Sequence, residues 1–261
     1  MNAESPALIG KGSVPVDLYL LGAGIAFPDH LTVQTIDILS TCRRICTNLP
    51  DYRISTLPTD LREKCLSLWP LYQDGRIRRE NYRDVAQAVL RETEKARPTA
   101  WLTPGHPMIF DSVSHALLKA ARKRKWGVSI LPAISSLDTM LAELACEPAS
   151  GLVIHDATGL VRRKIPLVPS VALILLQISV FLSDRAHISL EQGRPDLGPL
   201  RDYLLQYFPA EHKCAVVRSS AISTEPPEIT WMGLSDLVSV PTDRSAGATL
   251  FVPRVEPVAG S

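Results

Sequence analysis

Two spacing patterns of apolar residues alternate along the first half of the chain. Continuous apolar runs at 16–24 and 99–103 are typical of buried strands. Helices are predicted over 31–42, with Thr32 near the start, and around 113–121. A further helix is predicted where apolar residues stand at offsets of 0, 3, 4, 7 and 8, which places them on one helix face. These residues are Tyr82, Val85, Ala86, Val89 and Leu90. Alternating strands and helices predict an α/β fold with a largely parallel sheet.

The pattern changes after Gly151, where strands outnumber helices. Before that point, residues 127–145 predict a strand, a turn and a helix that Ser135 or Ser136 could cap. Later strands are predicted within 171–181, 213–220, 228–237 and 247–254, with one helix at about 197–207. We therefore predict a flexible tail (1–15), a first α/β domain (16–130) and a second α/β domain (131–261).

Composition and charge exclude several classes of protein. Of the 261 residues 46% are hydrophobic, and a net charge of +1 gives no general field for nucleic acid or an anionic membrane. The longest apolar run, 168–182, is too short and too polar to span a bilayer, so a buried strand is predicted there. Five cysteines without a CxxC pair, and no signal-like segment, indicate a cytoplasmic protein with free thiols and no metal site.

Gly22 and Gly24 follow the first predicted strand, where small residues let a ligand press against the backbone. A dinucleotide fingerprint would need a third glycine at the position of Phe27 and an acidic residue about twenty positions further on. Neither is present. The turn therefore favours a ligand without phosphates.

His106 lies between a glycine and a proline, just after the strand predicted at 99–103. No second histidine or carboxylate stands at metal-ligand spacing, and the G-x-S-x-G motif of a nucleophile elbow is missing. Two roles remain open. The histidine could perform acid–base chemistry, or its imidazole could bond to the backbone of a rigid loop.

Arg78 and Tyr82 are four residues apart, so they share the helix face that continues as the apolar stripe. A guanidinium and a phenol at the edge of a core need a polar partner. That partner is either a carboxylate elsewhere in the fold or an oxygen of a substrate. Tyr72, six residues before Arg78, can turn towards the same place.

Four segments in order resemble the tetrapyrrole methylase superfamily of S-adenosylmethionine-dependent methyltransferases. They are LYLLGAGIAFPDHLT, TPGHPMIF with the stretch that follows it, LILLQISVF and GATLFVPR, and the likeness runs from about 16 to 253. Within the superfamily the chain most resembles the borosin peptide backbone N-methyltransferases, whose loop contains Gly-His-Pro. Tyr72, Gly75, Arg78 and Tyr82 match their Tyr-x-x-Gly-x-x-Arg-x-x-x-Tyr segment.

The resemblance implies a homodimer of two-domain chains with S-adenosylmethionine bound in the cleft between the domains. It assigns catalysis to Tyr72, Arg78 and Tyr82. Arg78 would stabilise negative charge on an amide oxygen, and one of the two tyrosines would take the N–H proton. The implied cofactor-binding residues are Gly22, Gly24, Ile25, Thr103, Gly105, His106, Met108, Ile109, Ser135, Ser136, Gln177 and Ala221.

The predicted function is therefore methylation of backbone amides. The substrate is expected to be a separate precursor peptide, because nothing like the family's clasp and core peptide follows Pro253. One alternative is a methyltransferase for a small-molecule or tetrapyrrole-like acceptor, with Arg78 binding a substrate carboxylate. The other is a non-catalytic member that binds a cofactor or a partner, which is favoured by Pro104 in place of the family's loop tyrosine.

Overall fold

The computed structural model describes residues 15–188, 193–240 and 247–256, which form two compact units, each with one five-stranded sheet. The first unit contains the chain up to Asp138 together with 221–223, and the second contains the remainder. The predicted α/β class is confirmed. The predicted tail, except for Pro15, lies outside the described residues.

Strands and helices alternate in the first unit, as the spacing of its apolar residues predicts. Its elements are β1 (Leu18–Gly22), α1 (Val33–Thr41), β2 (Arg44–Thr47), α2 (Asp51–Ile54), α3 (Thr59–Arg62), β3 (Cys65–Ser67), α4 (Arg78–Lys95), β4 (Thr99–Thr103), α5 (Ser112–Arg124), β5 (Val128–Ile130) and α6 (Ser136–Glu143), the last of which continues into the second unit. The strands are all parallel, in the order β3-β2-β4-β1-β5. The four short elements β2, β3, α2 and α3 were not predicted, because three or four residues carry too little periodicity.

Helices cover both faces of this sheet because buried side chains alternate along its strands. Leu20 packs on the face covered by α4 and α5, whereas Leu21 packs with α1. The connection that leaves β1 runs past β4 to β2, and the connection that leaves β4 runs past β1 to β5. The carboxyl ends of β1 and β4 thus form a topological switch point, where open α/β sheets bind ligands.

The second unit has a mixed sheet in the order β6-β7-β10-β8-β9. Its elements are β6 (Leu152–Asp156), α7 (Ala157–Arg163), β7 (Ala172–Leu176), α8 (Gly198–Leu204), β8 (Lys213–Arg218), β9 (Glu228–Gly233) and β10 (Thr249–Val252). Only β6 and β7 pair in parallel; the other pairs are antiparallel. The apolar run at 168–182 contains the fully buried β7, as predicted. β6 and α7 were not predicted.

The division between the units falls after Asp138, eight residues beyond the predicted boundary at 130/131. One hydrogen bond joins the start of the intervening segment to the first sheet, and a second lies within the segment. The Leu131 N–H donates to the Leu20 carbonyl oxygen (3.1 Å), and the Ser135 N–H donates to the Asp138 carboxylate (2.7 Å). The boundary at 130/131 stays a prediction, and the residue directly after it, Leu131, is bonded to β1.

The described residues also show the state of the cysteines and bear on membrane-spanning helices and metal-binding groups. All five cysteines are free thiols, as predicted. None of the helices in the described ranges is both long and apolar enough to cross a membrane. Within the same ranges, no group of three or more His, Cys, Asp and Glu side chains could hold a metal ion.

Candidate functional site

The loops after β1 and β4 are joined by backbone hydrogen bonds. Gly24 and Gly105 exchange two of them (3.3 and 2.9 Å), and the Ala23 N–H donates to the Thr103 carbonyl oxygen (2.7 Å). Gly24 and Gly105 have φ values of +72° and +68°, which favour glycine. A Cβ at Gly22 would lie 2.1 Å from the Gly105 carbonyl oxygen. These glycines therefore let the two predicted ligand loops pack against each other.

The backbone N–H groups of the β1 turn are already occupied. Ile25 and Ala26 both donate to Nδ1 of His30 (3.3 and 3.1 Å), and Ala23 and Gly24 donate to the loop after β4. A phosphate cradle needs several free N–H groups directed at one point. The turn fits a ligand without phosphates, in agreement with its incomplete glycine fingerprint.

His106 stabilises the loop after β4 from within. Its Nδ1 accepts the Met108 N–H (3.0 Å), and its carbonyl oxygen accepts the Ile109 N–H (3.1 Å). The imidazole is therefore bonded to backbone, as the rigid-loop alternative predicts. Burial lowers the pKa of His106, and the negative charge of Asp138 opposes this shift.

The segment after β5 adjoins the same loops. Ser135 is buried and caps α6, because its hydroxyl oxygen accepts the Leu137 N–H (3.2 Å) and its O–H donates to Asp138 (2.5 Å). Burial raises the pKa of Asp138. The hydrogen bonds from Ser135 and the charge of His106 lower it by more, so the pKa lies below its ordinary value. Of the two predicted capping serines, Ser135 is the cap and Ser136 is the first residue of α6.

Ala221 and Gln177, the remaining two predicted cofactor-binding residues, belong to different units. Ala221 is exposed and belongs to the first unit, where the nearby Ser223 hydroxyl donates to the Asp29 carboxylate beside the β1 turn. Gln177 belongs to the second unit and follows β7 directly, with a left-handed backbone (φ +64°).

The structure brings the three predicted catalytic side chains together at the start of α4. Arg78 is the first residue of the helix, and its side chain hydrogen-bonds that of Tyr82 one turn later. The rings of Tyr72 and Tyr82 meet edge to face with centroids 6.1 Å apart. The ring of Trp69 stacks on that of Tyr72, also with a centroid distance of 6.1 Å. Both tyrosines pack with Met108 of the loop after β4 against one core cluster.

The two tyrosines differ in their electrostatic surroundings. Burial raises the pKa of Tyr82, while the charge and the hydrogen bond of Arg78 oppose the increase. Burial also raises the pKa of Tyr72, and the negative charges of Asp111 and of ionised Tyr82 add to it. Only a hydrogen bond from Asn48 opposes the increase at Tyr72. Tyr82 is therefore the phenol with a cation to stabilise its ionised form.

Sequence reasoning missed Asn48 and Asp111 beside these tyrosines. Asp111 caps α5 by accepting the Val113 N–H (2.9 Å), and it also accepts the indole N–H of buried Trp101 (3.2 Å). An acidic residue one position before the helix was a readable capping signal. Asn48 directly follows β2, a strand that the sequence pattern did not reveal.

A family profile described as Tetrapyrrole (Corrin/Porphyrin) Methylases matches residues 17–228 of this chain. Because the match covers most of the sequence, the chain belongs to this family. The predicted family is thereby confirmed, and so, at the level of the family, are the methyltransferase class and its S-adenosylmethionine cofactor.

The chain is also similar to individual proteins described as borosin or gymnopeptide precursors. Over 164 residues the chain is 27% identical to a methyltransferase/ribosomally synthesized type I borosin cyclic peptide precursor, cmaMA of Coprinopsis marcescibilis, with 62% of this chain and 42% of the relative covered. It is 24% identical over 243 residues to the gymnopeptides precursor gymMA1 of Gymnopus fusipes, covering 92% of this chain and 57% of the relative. The chain thus spans about half the length of these relatives.

Solved structures share the fold. A uroporphyrin-III C-methyltransferase from Thermus thermophilus, complexed with S-adenyl homocysteine, matches with a TM-score of 0.60 and 16% identity over 90% of this chain and 96% of that one. At this identity the likeness concerns the fold alone.

Proposed function

We propose that this chain transfers methyl groups from S-adenosylmethionine to backbone amide nitrogens of a peptide. The observation that carries the proposal is the group of Tyr72, Arg78 and Tyr82, in which two phenols adjoin each other and a guanidinium bonds one of them. Relatives that are methyltransferase and borosin precursor in one chain support the choice of a peptide.

The chemistry follows from the weakness of an amide as a nucleophile. Its nitrogen lone pair is delocalised into the carbonyl group, so methylation becomes easier as charge moves onto the oxygen and the N–H is lost. Arg78 stabilises that oxygen as an oxyanion hole does. Tyr82, whose phenolate the Arg78 cation would stabilise, would take the N–H proton. The nitrogen would keep the electron pair that forms its new N–C bond, and the sulfonium sulfur of the methyl donor would keep the pair of the S–C bond that breaks.

The cofactor would be held by the loops after β1, β4 and β5, which meet at the switch point of the first sheet. Bound there, S-adenosylmethionine supplies an electrophilic methyl group and needs no phosphate site. The occupied N–H groups of residues 23–26 suit that requirement.

The proposal is tested by incubating the protein with S-adenosylmethionine and a peptide with the sequence of a borosin core, supplied as a separate molecule. We expect the peptide mass to increase in steps of one methyl group, with fragmentation placing each group on a backbone nitrogen. Methylation of a small acceptor but of no peptide would favour the second candidate function. Failure to bind the cofactor in calorimetry would favour a non-catalytic protein.

Variants separate catalysis from binding. Arg78→Ala should lower the rate of methyl transfer by about 10²–10³-fold, the usual loss for an oxyanion-stabilising group. Tyr82→Phe should abolish transfer, while both variants keep the calorimetric affinity for S-adenosylmethionine. Full activity in either variant would refute the role assigned to that residue.

We also infer a cytoplasmic homodimer. The resemblance to the borosin enzymes motivates the dimer, and five free thiols agree with a reducing compartment. On α1, Val33 is 76% exposed and Ile36, three residues later on the same face, is 39% exposed.

A further inference from the structure

Asn48 stands on a rigid support at the carboxyl end of β2. The neighbouring Thr47 donates its hydroxyl to the Leu102 carbonyl oxygen of β4 (2.7 Å) and accepts the Leu49 N–H (3.1 Å). The Thr47 carbonyl oxygen accepts the Leu68 N–H (2.7 Å), which ties β2 to the segment that leads to Tyr72. Thr47, the residue before Asn48, is therefore bonded both to β4 and to the segment that follows β3.

Among the described residues, the Asn48 carboxamide forms one hydrogen bond, and its partner is a predicted catalytic residue. Its Nδ2–H donates to the Tyr72 hydroxyl oxygen (3.3 Å), while Oδ1 is buried and meets no donor among the described residues. An unpaired buried carbonyl destabilises a fold. A side chain that served packing alone would be better apolar, so the bond to Tyr72 is the feature that an asparagine provides here.

The direction of this bond determines where the Tyr72 proton points. A phenol that accepts an N–H keeps its own O–H for another acceptor, and hydrogen bonds in series strengthen one another. Trp69 and Tyr82 hold the ring of Tyr72 from two sides. The ring of Tyr72 is thus fixed beside Tyr82, and its hydroxyl is bonded to Asn48.

We propose that Asn48 is a positioning residue, whose N–H orients the Tyr72 hydroxyl to donate to the substrate's carbonyl oxygen together with Arg78. The inference rests on the proposed function for its catalytic meaning. Its structural part, the donation from Asn48 to Tyr72, stands without that function.

The structural part is tested without substrate or cofactor. A fluorinated tyrosine placed at position 72 has a more acidic phenol, and its titration is followed by fluorine NMR. Asn48→Ala should raise the pKa of that phenol by about one unit, because the ionised oxygen loses an ordinary hydrogen bond. Thr93→Ala, which removes a buried hydroxyl from α4, is the matched control and should leave it unchanged. An unchanged titration in Asn48→Ala would overturn the proposal.

The catalytic part is tested by kinetics. Asn48→Ala and the equally large Asn48→Asp, which cannot donate, should both lower kcat about tenfold with KM little changed. A role in packing alone would let Asn48→Asp keep the parental kcat, and that result would contradict the inference. In a Tyr72→Phe background Asn48→Ala should cause no further loss, whereas additive losses would show that Asn48 acts elsewhere. If Asn48→Asp does not fold, Asn48→Ala alone decides.

Discussion

The imidazole of His106 holds the loop after β4 only while its Nδ1 is unprotonated, because that nitrogen accepts the Met108 N–H (3.0 Å). Burial lowers the pKa of His106 in the folded protein. The unfolded chain therefore binds a proton more readily, so protonation favours unfolding. This contribution to stability is complete well above the ordinary histidine pKa of about 6.5 and is lost as the pH falls through it.

Replacing His106 by asparagine removes the titration and keeps the acceptor, since an asparagine side chain can accept the N–H two residues on. We expect the free energy of unfolding of the parent to fall more between pH 7.5 and pH 5.5 than that of His106→Asn, as measured by urea denaturation. Equal losses in the two proteins would show that His106 does not contribute to the pH dependence.

At the level of elements, the close contact between the β1 turn and the β4 loop depends on Gly22. A Cβ there would lie 2.1 Å from the Gly105 carbonyl oxygen and 2.4 Å from the Ala133 Cβ. Gly22→Ala should lower the free energy of unfolding by about 3 kcal/mol, near the upper end for overpacking, and weaken cofactor binding in calorimetry.

Gly193→Ala is the matched control for this substitution. Gly193 has a φ of +70°, and no atom of the described residues lies within 4 Å of its Cβ position, so only backbone strain of about 1 kcal/mol is expected. Equal losses of stability in the two variants would mean that the loops do not meet as described.

The sequence predicted the long elements well because their periodicity is strong. The apolar stripe of α4, the strand at 99–103 and the Thr32 cap of α1 were all predicted, and the structure confirms them. The short strand β2 was missed because four residues carry no period, and with it Asn48. The motif placed Tyr72, Arg78 and Tyr82 in one region, but the contacts that distinguish the two phenols arise from folding, since Asp111 lies 39 residues beyond Tyr72.

At the scale of the whole molecule, the first unit contains all three proposed catalytic side chains and all of the proposed cofactor residues except Gln177. Its parallel sheet places the carboxyl ends of β1 and β4 at one edge, where the loops that follow them bond to each other. The inferred dimer is tested by sedimentation equilibrium at micromolar concentration. A mass of two chains is expected, and a mass of one chain would refute it.

The proposed role of Tyr72, Arg78 and Tyr82 in methylating peptide amides is tested by mass spectrometry. A peptide is incubated with S-adenosylmethionine and either the parent or Tyr82→Phe, both shown by calorimetry to bind the cofactor. We predict stepwise methyl additions on backbone nitrogens with the parent and none with the variant. Equal methylation by both proteins, or an unmodified peptide with the cofactor-bound parent, would contradict the claim.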